Sequence, residues 1–335
     1  MIIDCHGHFT TVPRTLHAWR ERQLTCERGH YGEPLSISDD ELRNAIENGQ
    51  LKIQRERGLD LTLFSPIAGQ MGHHLGTLDK SIEWSRVCND LIARVVALYP
   101  RNFAGVCQLP QSPGQSLDAS VRELERCVRE LGFVGCNLNP DPSGGYWKTA
   151  ALTDRVYYPL YEKMVELDVP AMIHVSGSCN ACIHHTGAHY LNGDTTAFMQ
   201  FVQNPQVFKD FPTLRFVIPH GGGAVPYHWG RYRGLSQDLG HGELDDGLMK
   251  NVFFDTCVYH QPGIDLLTGV VPHRNILFGS EMIGAVKGVD PRTGHHYDDT
   301  RRYVAATPNL DDAARANVFS GNTLDVYPAL RAHFA

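Results

Sequence analysis

A closed (β/α)8 barrel, the TIM-barrel architecture with long βα loops at its C-terminal face, is the fold that this 335-residue sequence predicts. Three observations carry that prediction. Eight short β-rich apolar runs recur along the chain, amphipathic helical stretches separate them, and several runs are nearly continuous in apolar residues, as parallel strands covered on both faces are.

In order, the first run is MIIDC (1–5), followed by a charge-rich excursion over 10–39. LDLTLFS (59–65) and FAGVCQL (103–109) supply the second and third strands. Between the third and fourth, LDASVRELERCVREL (117–131) places Leu117, Val121, Leu124, Val128 and Leu131 at helical spacing, so a helix with one buried face is expected there. FVGCNLN (133–139), PAMIHVS (170–176), LRFVIPH (214–220), VFFDTCV (252–258) and NILFGSE (275–281) complete the eight. Segments 177–197 and 282–300 read as long loops after strands, which is where a barrel builds its active site. No Gly-x-Gly-x-x-Gly follows the first strand, so an open dinucleotide-binding sheet lacks its main support. No linker, low-complexity tract or internal repeat divides the chain, and barrels commonly exceed ~250 residues as one domain; residues 1–335 are expected to form a single one.

Composition is that of an ordinary globular enzyme: 42% hydrophobic, 20% charged, with a net charge of −7 that gives no electrostatic reason to bind nucleic acid or an anionic membrane. No apolar run approaches the roughly 18 residues that span a bilayer, and the N-terminus lacks the basic segment and apolar core of a secretory signal, so a cytoplasmic location is expected. The nine cysteines, odd in number and scattered through apolar runs, fit reduced core thiols. Cys179-Asn-Ala-Cys182 has no second Cys-x-x-Cys to complete a zinc site and no thioredoxin-like context.

The stretch DCHGH then stands out. Residues two apart on a strand share a face, so His6 and His8 would project side by side and could grip one metal ion. His174 lies in the fifth run, His220 ends the sixth and Glu281 ends the eighth. Any one of these has a bland reading as a hydrogen-bonded or solvated side chain. All five at the C-terminal ends of strands are better explained by a site. Ligands His6, His8, His174 and Glu281 make the N/O donor set that suits one Zn2+, with Mn2+ accepting the same donors.

These residues, with the closing NVFSGNTLDVYP, resemble the amidohydrolase superfamily, in particular its mononuclear decarboxylase and hydratase branch, and the resemblance spans nearly the whole chain. More narrowly, MIIDCHGHFTTVPRTLHAWRERQ, HYLNGDTTAF and LFGSEMIGAVKGVDPRTG resemble the 4-oxalomesaconate hydratase family of the protocatechuate 4,5-cleavage pathway. Glu281 stands where the decarboxylases of that branch carry Asp. The fourth run offers neither the lysine nor the acidic residue that bridges two metals, which favours one ion.

The resemblance implies a zinc-dependent lyase adding water to the C=C bond of a small tricarboxylate. It implies Glu281 as a ligand or the acid/base group, and His220 as a second acid/base or orienting group. Binding three carboxylates needs donors. Tyr190 and Asn192 are the first candidates, His185 shares their loop, and Lys287, Arg292 and Arg233 follow. HGGG (220–223) mimics an oxyanion-hole motif, but the Gly-x-Ser-x-Gly elbow it would need is absent; the glycines instead let backbone pass close to a ligand. A metal-dependent decarboxylase of the same superfamily and a catalytically silent ligand-binding barrel are the competing readings. The expected partner is a small polycarboxylate, and a homo-oligomeric assembly stays open.

Overall fold

The structure, a computed structural model, describes residues 1–27, 29–183 and 186–334. Seven parallel strands follow one another in sequence order: β1 (Ile3–His8), β2 (Leu61–Ser65), β3 (Phe103–Gln108), β4 (Gly135–Leu138), β5 (Ala171–Ile173), β6 (Phe216–Ile218) and β7 (Val252–Phe254). Each pairs only with its sequence neighbours in this sheet, the order a barrel requires.

The eighth expected run closes the cylinder without becoming a regular strand. Ile276 bridges Phe254 in parallel, Leu277 N donates to Phe254 O at 2.8 Å, and Cys5 N donates to Phe278 O at 2.8 Å. The segment therefore lies between β7 and β1. Its ladder is broken by side chains that take its amides: Gly279 N donates to Thr256 Oγ1 at 3.0 Å and Ser280 N to Asp4 Oδ1 at 3.0 Å. Glu281 N returns to backbone, donating to His6 O at 2.8 Å.

Two apolar layers hold the sheet. Ile3, Cys5, Leu61, Leu63, Ala104, Val106, Met172, Val217 and Leu277 fill the interior, and Val326, Tyr327 and Leu330 from the C-terminal segment pack into it. Tyr327 marks the lower end, since a Cβ on Gly135, the first residue of β4, would come 2.8 Å from its ring. Outward residues of the same strands, among them Phe64, Phe103, Cys107, Leu138, Ile173, Phe216 and Phe254, meet the helices. The expected amphipathic helix runs Asp118–Arg129 and buries Leu124 and Cys127.

Two expected loops carry regular structure. Thr186–Gln203 is an 18-residue helix despite its Gly, Asn, Asp and Thr content, because burial of Ala197, Phe198, Phe201 and Val202 outweighs weak propensity. Within 282–300, β8 (Val289–Asp290) and β9 (His295–His296) form an antiparallel hairpin. The excursion over 10–39 likewise contains a helix, Arg14–Thr25.

Candidate metal centre

The histidine pair owes its direction to an irregularity in β1. Ile3 and Asp4 face Leu61 and Thr62, but Gly7 and His8 face Phe64 and Ser65, so β1 carries one extra residue between them. A bulge of this kind reverses the alternation. Cys5 already points into the barrel, and without the extra residue His6 and His8 would point at the helices. With it, both enter the mouth.

There the imidazoles crowd together. His6 Nε2 lies 3.0 Å from His8 Nε2, and His8 Nε2 lies 3.3 Å from His174 Nε2. Every Nδ1 is engaged elsewhere: His6 with Asp255 Oδ2 at 2.6 Å, His8 with Ser65 Oγ at 2.7 Å and Pro66 O at 3.2 Å, His174 with Val175 O at 2.8 Å, His220 with Asp194 Oδ2 at 2.9 Å. Carbonyls and carboxylates only accept, so a ring hydrogen sits on each Nδ1, and the Nε2 lone pairs of His6, His8 and His174 converge. Lone pairs about 3 Å apart repel one another, and a cation among them turns that repulsion into coordination. The donor set fits a divalent ion of the zinc class.

Electrostatics agree. Burial, reinforced by the neighbouring imidazoles, pushes His8 and His174 well below the usual histidine range, leaving them in the neutral, ligating form. His220 differs. Burial alone would lower it, but the charge and hydrogen bond of Asp194, with Glu281 and Asp255 behind, hold it at about 9. Asp194 is itself pushed up to about 6 by burial. Single donor atoms of His6, His174, His220 and Glu281 lie within 4.8 Å of one another, while His8 meets the group through His6 and His174. Asp255 and Cys257 group with His6 on its Nδ1 side.

The backbone is strained where the site needs it. His220, Tyr259 and Glu281 have φ of 52°, 68° and 50°, values that cost free energy for residues with a Cβ and persist where surrounding structure enforces them. Glycine is required beside them: Gly222, at φ 81°, would place a Cβ 2.5 Å from the Phe254 ring. Gly221 N donates to Asp255 Oδ1 at 3.0 Å, tying the HGGG turn to the partner of His6.

Of the anticipated substrate contacts, Tyr190 joins the cluster, stacked on His220 at 5.4 Å and edge-on to His174 at 4.9 Å. Asn192 does not. Two residues further along the same helix it is turned about 200° away and is exposed. Arg233 is also outside the site: it donates to both carboxylate oxygens of Glu243 at 3.0 Å. It lines a surface groove with Gly269 and Val270, where a helix ends before the next barrel segment, at the end opposite the histidines. Lys287 and Arg292 are exposed, the second in the β8–β9 turn. His185 lies outside the described residues. Cys179 and Cys182 are exposed free thiols.

Sequence reasoning missed Asp194, Asp255 and Tyr259, the partners of His220, His6 and Glu281. Asp194 had one signal, its place one helical turn after Tyr190. Asp255 had its place in the middle of the seventh run, directly after β7.

Comparison with known proteins extends this picture. The family model described as Amidohydrolase matches residues 3–329. The chain is 60% identical over 336 aligned residues to 2-keto-4-carboxy-3-hexenedioate hydratase of Sphingobium sp. (strain NBRC 103272 / SYK-6), covering 99% of this chain and 97% of that protein. The crystal structure of 4-oxalomesaconate hydratase, LigJ, from Rhodopseudomonas palustris superposes with a TM-score of 0.91 at 54% identity, over 100% of this chain and 98% of that one. Gamma-resorcylate decarboxylase of Polaromonas sp. (strain JS666 / ATCC BAA-500) is 29% identical over 191 residues, 54% of this chain and 57% of that protein. With its strand-end histidines, its acidic residue at the eighth barrel segment and a match over nearly its whole length, the chain belongs to the amidohydrolase family.

Proposed function

We propose that this enzyme is a hydro-lyase that adds water to the C=C bond of 4-oxalomesaconate, giving 4-carboxy-4-hydroxy-2-oxoadipate in the protocatechuate 4,5-cleavage pathway. The observation that carries the reading is the near full-length likeness to a hydratase, 60% identical, with Glu281 in the histidine cluster where the decarboxylase pattern has Asp.

His6, His8, His174 and Glu281 would hold one zinc ion, with manganese the alternative. Such an ion supplies Lewis acidity, lowering the pKa of water from about 15.7 to about 7 and stabilising negative oxygen. The rest is work for the chain. Glu281 takes one proton from the adding water as its oxygen bonds to one alkene carbon. His220, held in its protonated form by Asp194, gives a proton to the other alkene carbon, and exchange through solvent water, which removes the proton from Glu281 and restores one to His220, resets both. Tyr190 walls the site beside His220. Lys287 and Arg292, on the segment that follows Glu281, supply charge for the distal carboxylates. The setting is the cytoplasm, where the free thiols stay reduced.

The deciding experiment feeds 4-oxalomesaconate to the purified enzyme and follows the conjugated absorbance with carbon dioxide in parallel. Hydration removes absorbance without gas; gas release would establish the decarboxylase instead. Glu281→Gln should lower kcat at least about 10³-fold with metal content retained, whereas equal loss of both would make Glu281 chiefly a ligand.

A further inference from the structure

We propose that Tyr259 is a positioning residue for Glu281: its hydroxyl holds the carboxylate oxygen that faces His220 and thereby keeps the carboxylate in one orientation at the histidine cluster. The Tyr259 hydroxyl lies 3.0 Å from Glu281 Oε2 and 3.2 Å from Ser280 O. It has one hydrogen to give, and a carboxylate is the stronger acceptor. Among the described residues no other hydrogen-bond donor reaches that carboxylate; His220 Nε2 stands back at 3.7 Å from the same oxygen.

Both partners are held in the left-handed region, at φ 68° for Tyr259 and 50° for Glu281, so each backbone is bent to bring these two side chains together. The two segments are also joined at their bases. Thr256 Oγ1 donates to Gly279 O at 2.9 Å and accepts from Gly279 N at 3.0 Å, and Cys257 N donates to Asp255 Oδ1 at 3.0 Å. Tyr259 thus reaches Glu281 from a turn anchored on the same aspartate that orients His6. A phenol merely satisfying its own polarity would need only the Ser280 carbonyl. The carboxylate contact adds an effect on Glu281: a free carboxylate rotates and can chelate through both oxygens, whereas one pinned by a donor offers a single oxygen.

This inference rests on Glu281 as the acid/base group, and its test separates the two ideas. Tyr259→Phe is made alone and in the Glu281→Gln background. Alone it should lower kcat about 10–100-fold with KM within about threefold. In the Glu281→Gln background it should cost less than about twofold, because a residue acting through Glu281 has nothing left to act on. The Co2+-loaded proteins give a second readout without turnover: the visible ligand-field bands of Tyr259→Phe should shift from those of wild type. Additive losses in both backgrounds, an unchanged kcat or an unchanged cobalt spectrum would overturn the proposal. If Tyr259→Phe fails to fold, Tyr259→Asn, tolerant of positive φ and too short to reach Glu281, takes its place in all arms. Absence of turnover in wild type would sink the hydratase reading, while the cobalt spectra still decide the role of Tyr259.

Discussion

Asp255 and His6 meet at 2.6 Å with both side chains fully buried, and the hydrogen bond from His6 Nδ1 keeps the carboxyl below its usual range against the pull of burial. That contact sets the His6 tautomer and directs Nε2 at the centre. Asp255→Asn keeps the shape and removes the anion, so metal affinity should fall about 10–100-fold, read as metal retained after dialysis against a graded chelator. His220 invites a pH test on the metal-free protein. Its folded pKa of about 9 lies above the 6.5 of a free histidine, so its stabilisation is complete below 6.5 and lost as pH rises through 9. Asp194, raised to about 6, loses its share in the same direction as pH rises from 3.8 to 6. Thermal unfolding of the stripped protein should therefore drop between pH 6.5 and 9, by at most about 3 kcal/mol, and Asp194→Asn should flatten that slope. The five clustered residues were legible in the sequence because metal-binding types at strand ends mean something without coordinates. Their partners were not. An aspartate that orients a histidine 249 positions away looks like any other aspartate until the chain has folded.

At the scale of elements, the first and last barrel segments do most to place the site, and both depart from regularity. Spacing alone put His6 and His8 on a common face but could not say which face, since that depends on a bulge, and a bulge is a property of two strands. Gly7 sits beside it. A Cβ there would meet Thr62 Cγ2 at 2.4 Å and Leu63 O at 2.9 Å, and the second is backbone that cannot rotate aside. Gly7→Ala should push β1 from β2, cost about 1–3 kcal/mol and lower metal stoichiometry together with melting temperature. A variant that melts lower yet binds metal as wild type would separate the bulge from the site. The eighth segment taught the opposite lesson. Its apolar run correctly located the closing stave, yet Asp4 and Thr256 take amides a strand would give its neighbours, and only tertiary structure supplies those acceptors. Arg233 was misread for a related reason: its sequence position did not reveal that its helix carries it to Glu243.

Across the whole molecule, the interior is divided along the barrel axis. Apolar side chains and the Tyr327 plug occupy the lower part, and the polar centre occupies the upper. The polar half needs that support, because crowding four imidazoles and several carboxyl groups out of water is costly unless they are paired. A barrel closed on one dry layer can hold such a group rigidly while its loops vary, which is why catalytic residues gather at one face and stabilising ones at the other. Tyr327 tests the division. It is 1% exposed, belongs to the interior cluster with Ile3, Val326 and Leu330, and lies against Gly135 at the start of β4. Tyr327→Ala removes a large buried ring and should destabilise by about 3–5 kcal/mol, measured by denaturant unfolding. Metal stoichiometry and kcat at a temperature where the variant remains folded should match wild type. If either falls in proportion to stability, the lower core does not act as an independent support, and the centre's geometry is coupled to packing along the full length of the barrel.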